Sequence, residues 1–88
     1  MDIKVLGTGC QKCKELDKLV REVVAEINVP ANVEKVEDIA QIVQYGVMLT
    51  PGLVINGKVK ISGRLPNKAD IKKMIEEEKY ISAVRQVL

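Results

Sequence analysis

The chain predicts an α/β fold in the order β-α-β-α-β-β-α, with a four-stranded mixed sheet flanked by helices. Three observations carry this. The apolar spacing switches between period two and a period near 3.6 along the chain. Asn56-Gly57 stands between two β-rich runs, where both turn residues of a tight hairpin need positive φ. The length of 88 residues, 47% of them apolar, suits one domain with one modest core.

The elements follow in order. Residues 2–6 place Ile3, Val5 and Leu6 among charged neighbours and run into Gly7-Thr8-Gly9, a strand ending in a turn. From Cys10 the spacing becomes helical. Cys13, Leu16, Leu19, Val20, Val23 and Ile27 share one face, while Lys12, Lys14, Glu15, Asp17, Lys18, Arg21, Glu22 and Glu26 take the other. Asn28-Val29-Pro30 stops that helix, and residues 32–36 read as a second strand. A helical crossover between strands makes the first two parallel and the connection right-handed.

Asp38 is placed to cap a short helix carrying Ile39, Ile42, Val43 and Tyr45, and Gly46 to end it. Leu53-Val54-Ile55 and Lys58–Ile61 form the antiparallel hairpin. A third helix follows Pro66, with Asn67 as cap, Asp70 three residues on, and Ile71, Met74 and Ile75 facing inward. Beyond it the periodicity slips. Ile81, Val84 and Leu88 fall about 100° or more from the Ile71/Ile75 stripe. Either the helix breaks near Glu76-Glu77-Glu78, or residues 80–88 present a second apolar face to their own domain or to another subunit. The expected division is therefore a domain over 1–79 and an extension over 80–88.

Composition excludes several chemistries. The chain has no His and two Cys, so it cannot supply four Cys/His ligands to zinc or a Cys–His pair. A net charge of +2, with 2% aromatic residues and both signs interspersed, gives no reason to expect a nucleic-acid partner. Met1–Gly7 is too short and too charged for a signal-peptide core, and no apolar run approaches the roughly 18 residues of a membrane span. The expected location is the cytoplasm, with no membrane association. In a reducing compartment two cysteines are better read as catalytic or metal-binding than as a permanent staple.

Cys10-Gln11-Lys12-Cys13 combines position, chemistry and spacing. Cys-x-x-Cys after a strand and at a helix start brings two sulfurs within bonding reach. Cys10 lies where unpaired backbone N–H groups and the positive helix end converge, which stabilises a thiolate; Lys12 and Lys14 add positive potential. Cys13, one turn in, points toward the apolar face and suits a shielded resolving thiol. Thiol–disulfide exchange follows: Cys10 attacks a substrate disulfide, and Cys13 breaks the mixed disulfide that results. A disulfide closing so small a ring adds little stability, so a structural staple is an inefficient explanation. The rival is a metal-binding or metal-delivery module in which two chains pool their Cys10 and Cys13 thiolates. A dinucleotide loop is ruled out, because Lys12 stands where G-x-G-x-x-G needs its last glycine.

A strand leading into Gly7-Thr8-Gly9-Cys10-x-x-Cys13, then Thr50-Pro51-Gly52 through Asn56-Gly57, then Gly63-Arg64, resembles the small thioredoxin-like redox-active disulfide proteins. These are glutaredoxin-sized thioredoxins of archaea and bacteria, and the likeness covers residues 1 to about 79. It implies a thioredoxin fold with sheet order 2-1-3-4 and helices on both faces. It implies a cis Thr50–Pro51 bond against the Cys pair, leaving the Thr50 backbone to pair with an extended substrate segment. Gly9, Lys12 and Gly63 join Thr50 and Pro51 as implied substrate-contacting positions. No cofactor is called for. The implied partners are protein disulfides, with a thioredoxin-reductase-like enzyme or a low-molecular-weight thiol as electron donor. The molecule would be a monomer, with the 80–88 tail offering a route to a dimer.

Departures from the wider family are visible. Gly9 replaces the tryptophan that precedes the Cys pair in ordinary thioredoxins, and Gln11-Lys12 fills the pair in place of Gly-Pro or Pro-Tyr. Ser62-Gly63-Arg64 stands where glutaredoxins carry a glutathione-contacting Gly-Gly-Cys-Asp. The remaining features read as structural. Lys58 and Lys60 guard an edge strand, Glu76–Glu78 form a solvated face, and Tyr45 and Tyr80 are half-buried packing residues.

Overall fold

In a computed structural model, which describes residues 1–87 and side chains through residue 81, the apolar strand Asp2–Leu6 (β1) lies at the centre of a mixed sheet. Its neighbours are β2 (Asn32–Val36), parallel, and β3 (Gly52–Ile55), antiparallel; β4 (Lys58–Ser62) completes the order β2-β1-β3-β4. Helix α1 (Gln11–Glu26) makes the crossover from β1 to β2, α2 (Ile39–Gln44) precedes β3, and α3 (Lys68–Val87) follows β4. This is the thioredoxin topology that the sequence implies.

Two apolar layers hold the sheet. On one face Ile3, Val5, Leu53, Ile55 and Ile61 pack against Leu16, Val20 and Val23 of α1 and Ile71 and Ile75 of α3. On the other, Leu6, Val36 and Val54 pack with Ile42 of α2 and Val47. Each fully buried aliphatic side chain contributes roughly 1.5–3 kcal/mol. The 3.6-residue spacing of Leu16, Val20 and Val23 is therefore what lays α1 on the sheet.

Local chemistry sets the ends of these elements. Asn56 and Gly57 adopt φ of 51° and 80°, as a tight hairpin turn requires. Asp38 caps α2 through a bond from the Ala40 N–H at 3.0 Å. Asn67 Oδ1 accepts from the Asp70 N–H at 2.8 Å at the start of α3. Asn28, with φ of 54°, turns the chain out of α1.

Of the two alternatives left open for the end of the chain, the break is excluded: helix α3 runs through Glu76-Glu77-Glu78. Two expectations need correction. Glu78 is not solvated: it is 2% exposed, bonded to Lys60 Nζ at 2.7 Å and Lys58 Nζ at 3.4 Å. It lies three residues after Ile75 and seven after Ile71, so helical geometry carries it onto the inward stripe. The two lysines thus have a carboxylate partner as well as an edge-strand position. Tyr80 is 72% exposed and packs little, whereas Tyr45 is half-buried as expected. Ile81 is half-buried; the side chains of Val84 and Leu88 lie outside the described residues.

Candidate active site

The site forms at the C-terminal end of β1, where the strand gives way to Gly7-Thr8-Gly9 and α1 begins. Cys10 is the N-cap, extended at φ −68° and ψ 165°, and its Sγ accepts from the Cys13 N–H at 3.2 Å. A sulfur in that position receives one of the donors a helix start leaves unpaired. Cys10 and Cys13 are joined as a disulfide with Cα atoms 5.1 Å apart. Their environments differ. Cys10 is exposed, and Cys13 is 5% exposed.

Gly7 explains how Cys13 is accommodated. It is buried, and its N–H donates to the Val36 carbonyl at 3.0 Å. A Cβ at position 7 would lie 2.7 Å from the Cys13 Cβ and closer still to Sγ. Only a glycine leaves that space. Gly9, at φ 91°, supplies the left-handed step that brings the chain round to the cap.

The second loop comes from the sheet register. Leu6 pairs with Gly52, so Thr50-Pro51, immediately before it, is brought to the end of β1 where the Cys pair sits. The Thr50–Pro51 bond is cis. Pro51 is buried, Thr50 half-buried, and the Pro51 carbonyl accepts from the Gly63 N–H at 2.9 Å. A Cβ on Gly63 would lie 2.8 Å from the Leu49 Cβ, so the loop after β4 packs directly on the segment before the proline. Of the expected site residues, Gly9, Lys12 and Gly63 are exposed. Lys12 is in the first turn of α1, and Gly63 is tied to Pro51 from the far side of the hairpin.

Other features of this end were not foreseen. Met48 and Leu49 are 80% and 68% exposed in the approach to Pro51. Cys13 also lines a partly open pocket of about 70 Å³ together with Gly7, Lys14, Asp17, Lys35 and Glu37 among others. Asp17, expected on the solvated face of α1, is buried at 9% exposure. Its carboxylate accepts from Arg21 Nε at 3.1 and 3.2 Å and faces Lys35 Nζ at 3.8 Å. A period-3.6 reading has a signal for it: Asp17 is four residues after Cys13 and four before Arg21, at the border of the apolar stripe. For Gly7 the signal is a glycine three residues before the first cysteine, which by itself says no more than a turn. Among the described residues, no cluster of three or more Cys, His or carboxylate side chains is placed to gather a metal ion.

Comparison with known proteins agrees with the geometry. A family model described as a thioredoxin domain matches residues 1–76. The chain is 41% identical over 75 residues to a thioredoxin of Methanothermobacter thermautotrophicus, spanning 85% of this chain and 97% of that protein. It is 31% identical over 74 residues to a thioredoxin of Methanocaldococcus jannaschii, spanning 84% and 85% respectively.

Proposed function

The chain belongs to the thioredoxin family, and from that premise we propose that it is a cytoplasmic dithiol–disulfide oxidoreductase acting on protein disulfides. The observation that supports this most is the asymmetry of the Cys pair: an exposed Cys10 at a helix N-cap, bonded to a shielded Cys13. In the reduced protein the Cys10 thiolate attacks one sulfur of a substrate disulfide. A Cys10–substrate bond forms, and the first substrate thiolate leaves. Cys13, as thiolate, then attacks Cys10 Sγ. The Cys10–Cys13 bond forms, and the electron pair of the broken bond departs on the second substrate sulfur. Two electrons have passed from protein to substrate. A reductase or a low-molecular-weight thiol returns them.

Substrate is held by the loops that meet at the pair. The Thr50 backbone, beside Pro51, offers hydrogen-bonding groups to an extended segment, in the manner of strand addition. Gly9 lets that segment approach Cys10 without a side chain in the way. Lys12 and Gly63 border the groove from α1 and from the loop after β4.

Alkylation of reduced, metal-stripped protein by iodoacetamide against pH, resolved by peptide mass, tests the reading. Cys10 is expected to react first, with an apparent pKa below the free value of about 8.5. Cys10→Ser is expected to abolish exchange, and Cys13→Ser to accumulate mixed disulfides. If both cysteines react slowly and alike, and added zinc protects both together, a metal-binding module replaces the redox reading.

A further inference from the structure

The sulfur of this chain is carried by Cys10, Cys13, Met1, Met48 and Met74, and exposure divides the five. Once Cys10 and Cys13 are joined as a disulfide, neither offers a thiolate to an oxidant. Met1 and Met74 are half-buried and pack on the apolar layer beneath α1 and α3. Met48 is 80% exposed. In the oxidised protein it is the sulfur most open to attack.

Its position gives that exposure a consequence. Leu6 pairs with Gly52, so Met48 and Leu49 lead into Thr50-Pro51 at the end of the sheet where the Cys pair sits. Leu49, 68% exposed, packs on Gly63, whose N–H donates to the Pro51 carbonyl at 2.9 Å. Ile39, 66% exposed, opens α2 at the same end, because Val36 of β2 pairs in parallel with Leu6. Among the described residues these apolar side chains stay uncovered, at the end where the Thr50 backbone receives substrate in the exchange proposed above. A disulfide segment with apolar residues beside its cysteine matches such a lip.

Building on the redox reading, we infer that Met48 is an oxidant-sensitive site at the lip of the substrate groove, where a peroxide makes a sulfoxide that weakens the hold on disulfides with apolar flanks. In the step, a lone pair on Met48 Sδ attacks one peroxide oxygen. The S–O bond forms, the O–O bond breaks, and the departing hydroxide takes the proton of the transferred oxygen and leaves as water. The sulfur loses two electrons and the peroxide gains them. The product is polar where the thioether was apolar, and a methionine sulfoxide reductase restores it. Met48 belongs to neither apolar layer, so the change spares the fold and acts on what docks at the lip.

The test begins with the oxidised protein in hydrogen peroxide, each methionine being followed by peptide mass. Met48 should form sulfoxide several times faster than Met1 or Met74. Dithiothreitol then reopens Cys10–Cys13, leaves the sulfoxide in place, and is removed. Single-turnover reduction is measured on a cystine-linked peptide with leucine beside each cysteine, and on hydroxyethyl disulfide, which has no apolar flank. After peroxide, the half-saturating concentration of the peptide should rise at least about threefold, near the worth of one buried methylene group. The rate on hydroxyethyl disulfide should stay as it was. Met48→Gln, polar from the start, should show the peptide effect with no peroxide. In Met48→Leu, treated and untreated samples should match each other. Oxidation of Met1 or Met74 ahead of Met48 overturns the inference, as does a Met48 sulfoxide that leaves the peptide unaffected. So does an equal slowing on both disulfides, or a peroxide effect that persists in Met48→Leu. Failure of the untreated protein to reduce either disulfide would instead overturn the redox reading on which this rests.

Discussion

Cys10 and Cys13 differ by three positions and by almost everything else that governs a thiol. One faces solvent and receives a backbone N–H; the other is enclosed beneath Gly7. The difference in exposure between the two sulfurs, on which the proposed division of labour rests, therefore depends on a residue that carries no side chain. Replacing Gly7 by Ala introduces a Cβ inside contact distance of Cys13, which forces the helix start or the cysteine to move. Gly7→Ala is expected to cost roughly 1–3 kcal/mol, in the range for overpacking a filled core. It is also expected to raise the alkylation rate of Cys13 in the reduced protein. Chemical denaturation and peptide-resolved alkylation measure the two effects separately. The motif itself was legible in the sequence; the reason for the glycine in front of it was not, because that reason is a distance across a turn.

At the scale of elements, the strands, the caps and the hairpin were readable because each depends on near neighbours. The Asn56-Gly57 turn is such a case. Gly57→Ala places a Cβ at φ 80°, which costs an L-residue roughly 1–2 kcal/mol. The turn lies at the opposite end of the sheet from the Cys pair, since Asn56 bonds to Asp2 at the start of β1. A lowered melting temperature with unchanged disulfide-exchange rate is therefore expected; a parallel loss of rate would mean that the hairpin tunes the site. Helix α3 was only half legible. Ile71 and Ile75 marked its inner face, but the three consecutive glutamates masked the fact that the third belongs to that face. Charge read as a run says solvent. Charge read by helical angle places Glu78 beside the sheet.

For the molecule as a whole, Glu78 ties α3 to the edge strand β4 through Lys60 and Lys58. The Lys60 hydrogen bond, opposed by burial and aided by both lysine charges, holds the Glu78 carboxyl below its ordinary value of 4.5. A carboxyl lowered in the folded state lends stability that is fully present above its unfolded value. That stability drains away as pH falls through the folded one. Glu78→Gln should thus lower stability at neutral pH and flatten the loss that the unaltered protein suffers below about pH 4.5. Lys58 and Lys60 keep some access to solvent, so the neutral-pH cost should be about 1–2 kcal/mol, below that of a fully enclosed pair. Urea titrations of both proteins from pH 3 to pH 7 would measure it; curves that stay parallel would exclude Glu78 as the acid-sensitive clamp.

The sequence by itself determined the element order, the parallel and antiparallel pairings and the Cys10–Cys13 pair. Periodicity, caps and turn residues act over a few positions and are written in the chain. Tertiary structure alone decided what surrounds those sulfurs. The burial of Asp17, the space that Gly7 leaves for Cys13, the seating of Leu49 on Gly63 and the salt bridge at Glu78 all join segments distant in sequence or settle which face of a helix meets the sheet. Periodicity carries the angle of Asp17 and Glu78 on their helices, but what those side chains and the Gly7 turn come to meet is set only by the folded arrangement of the elements.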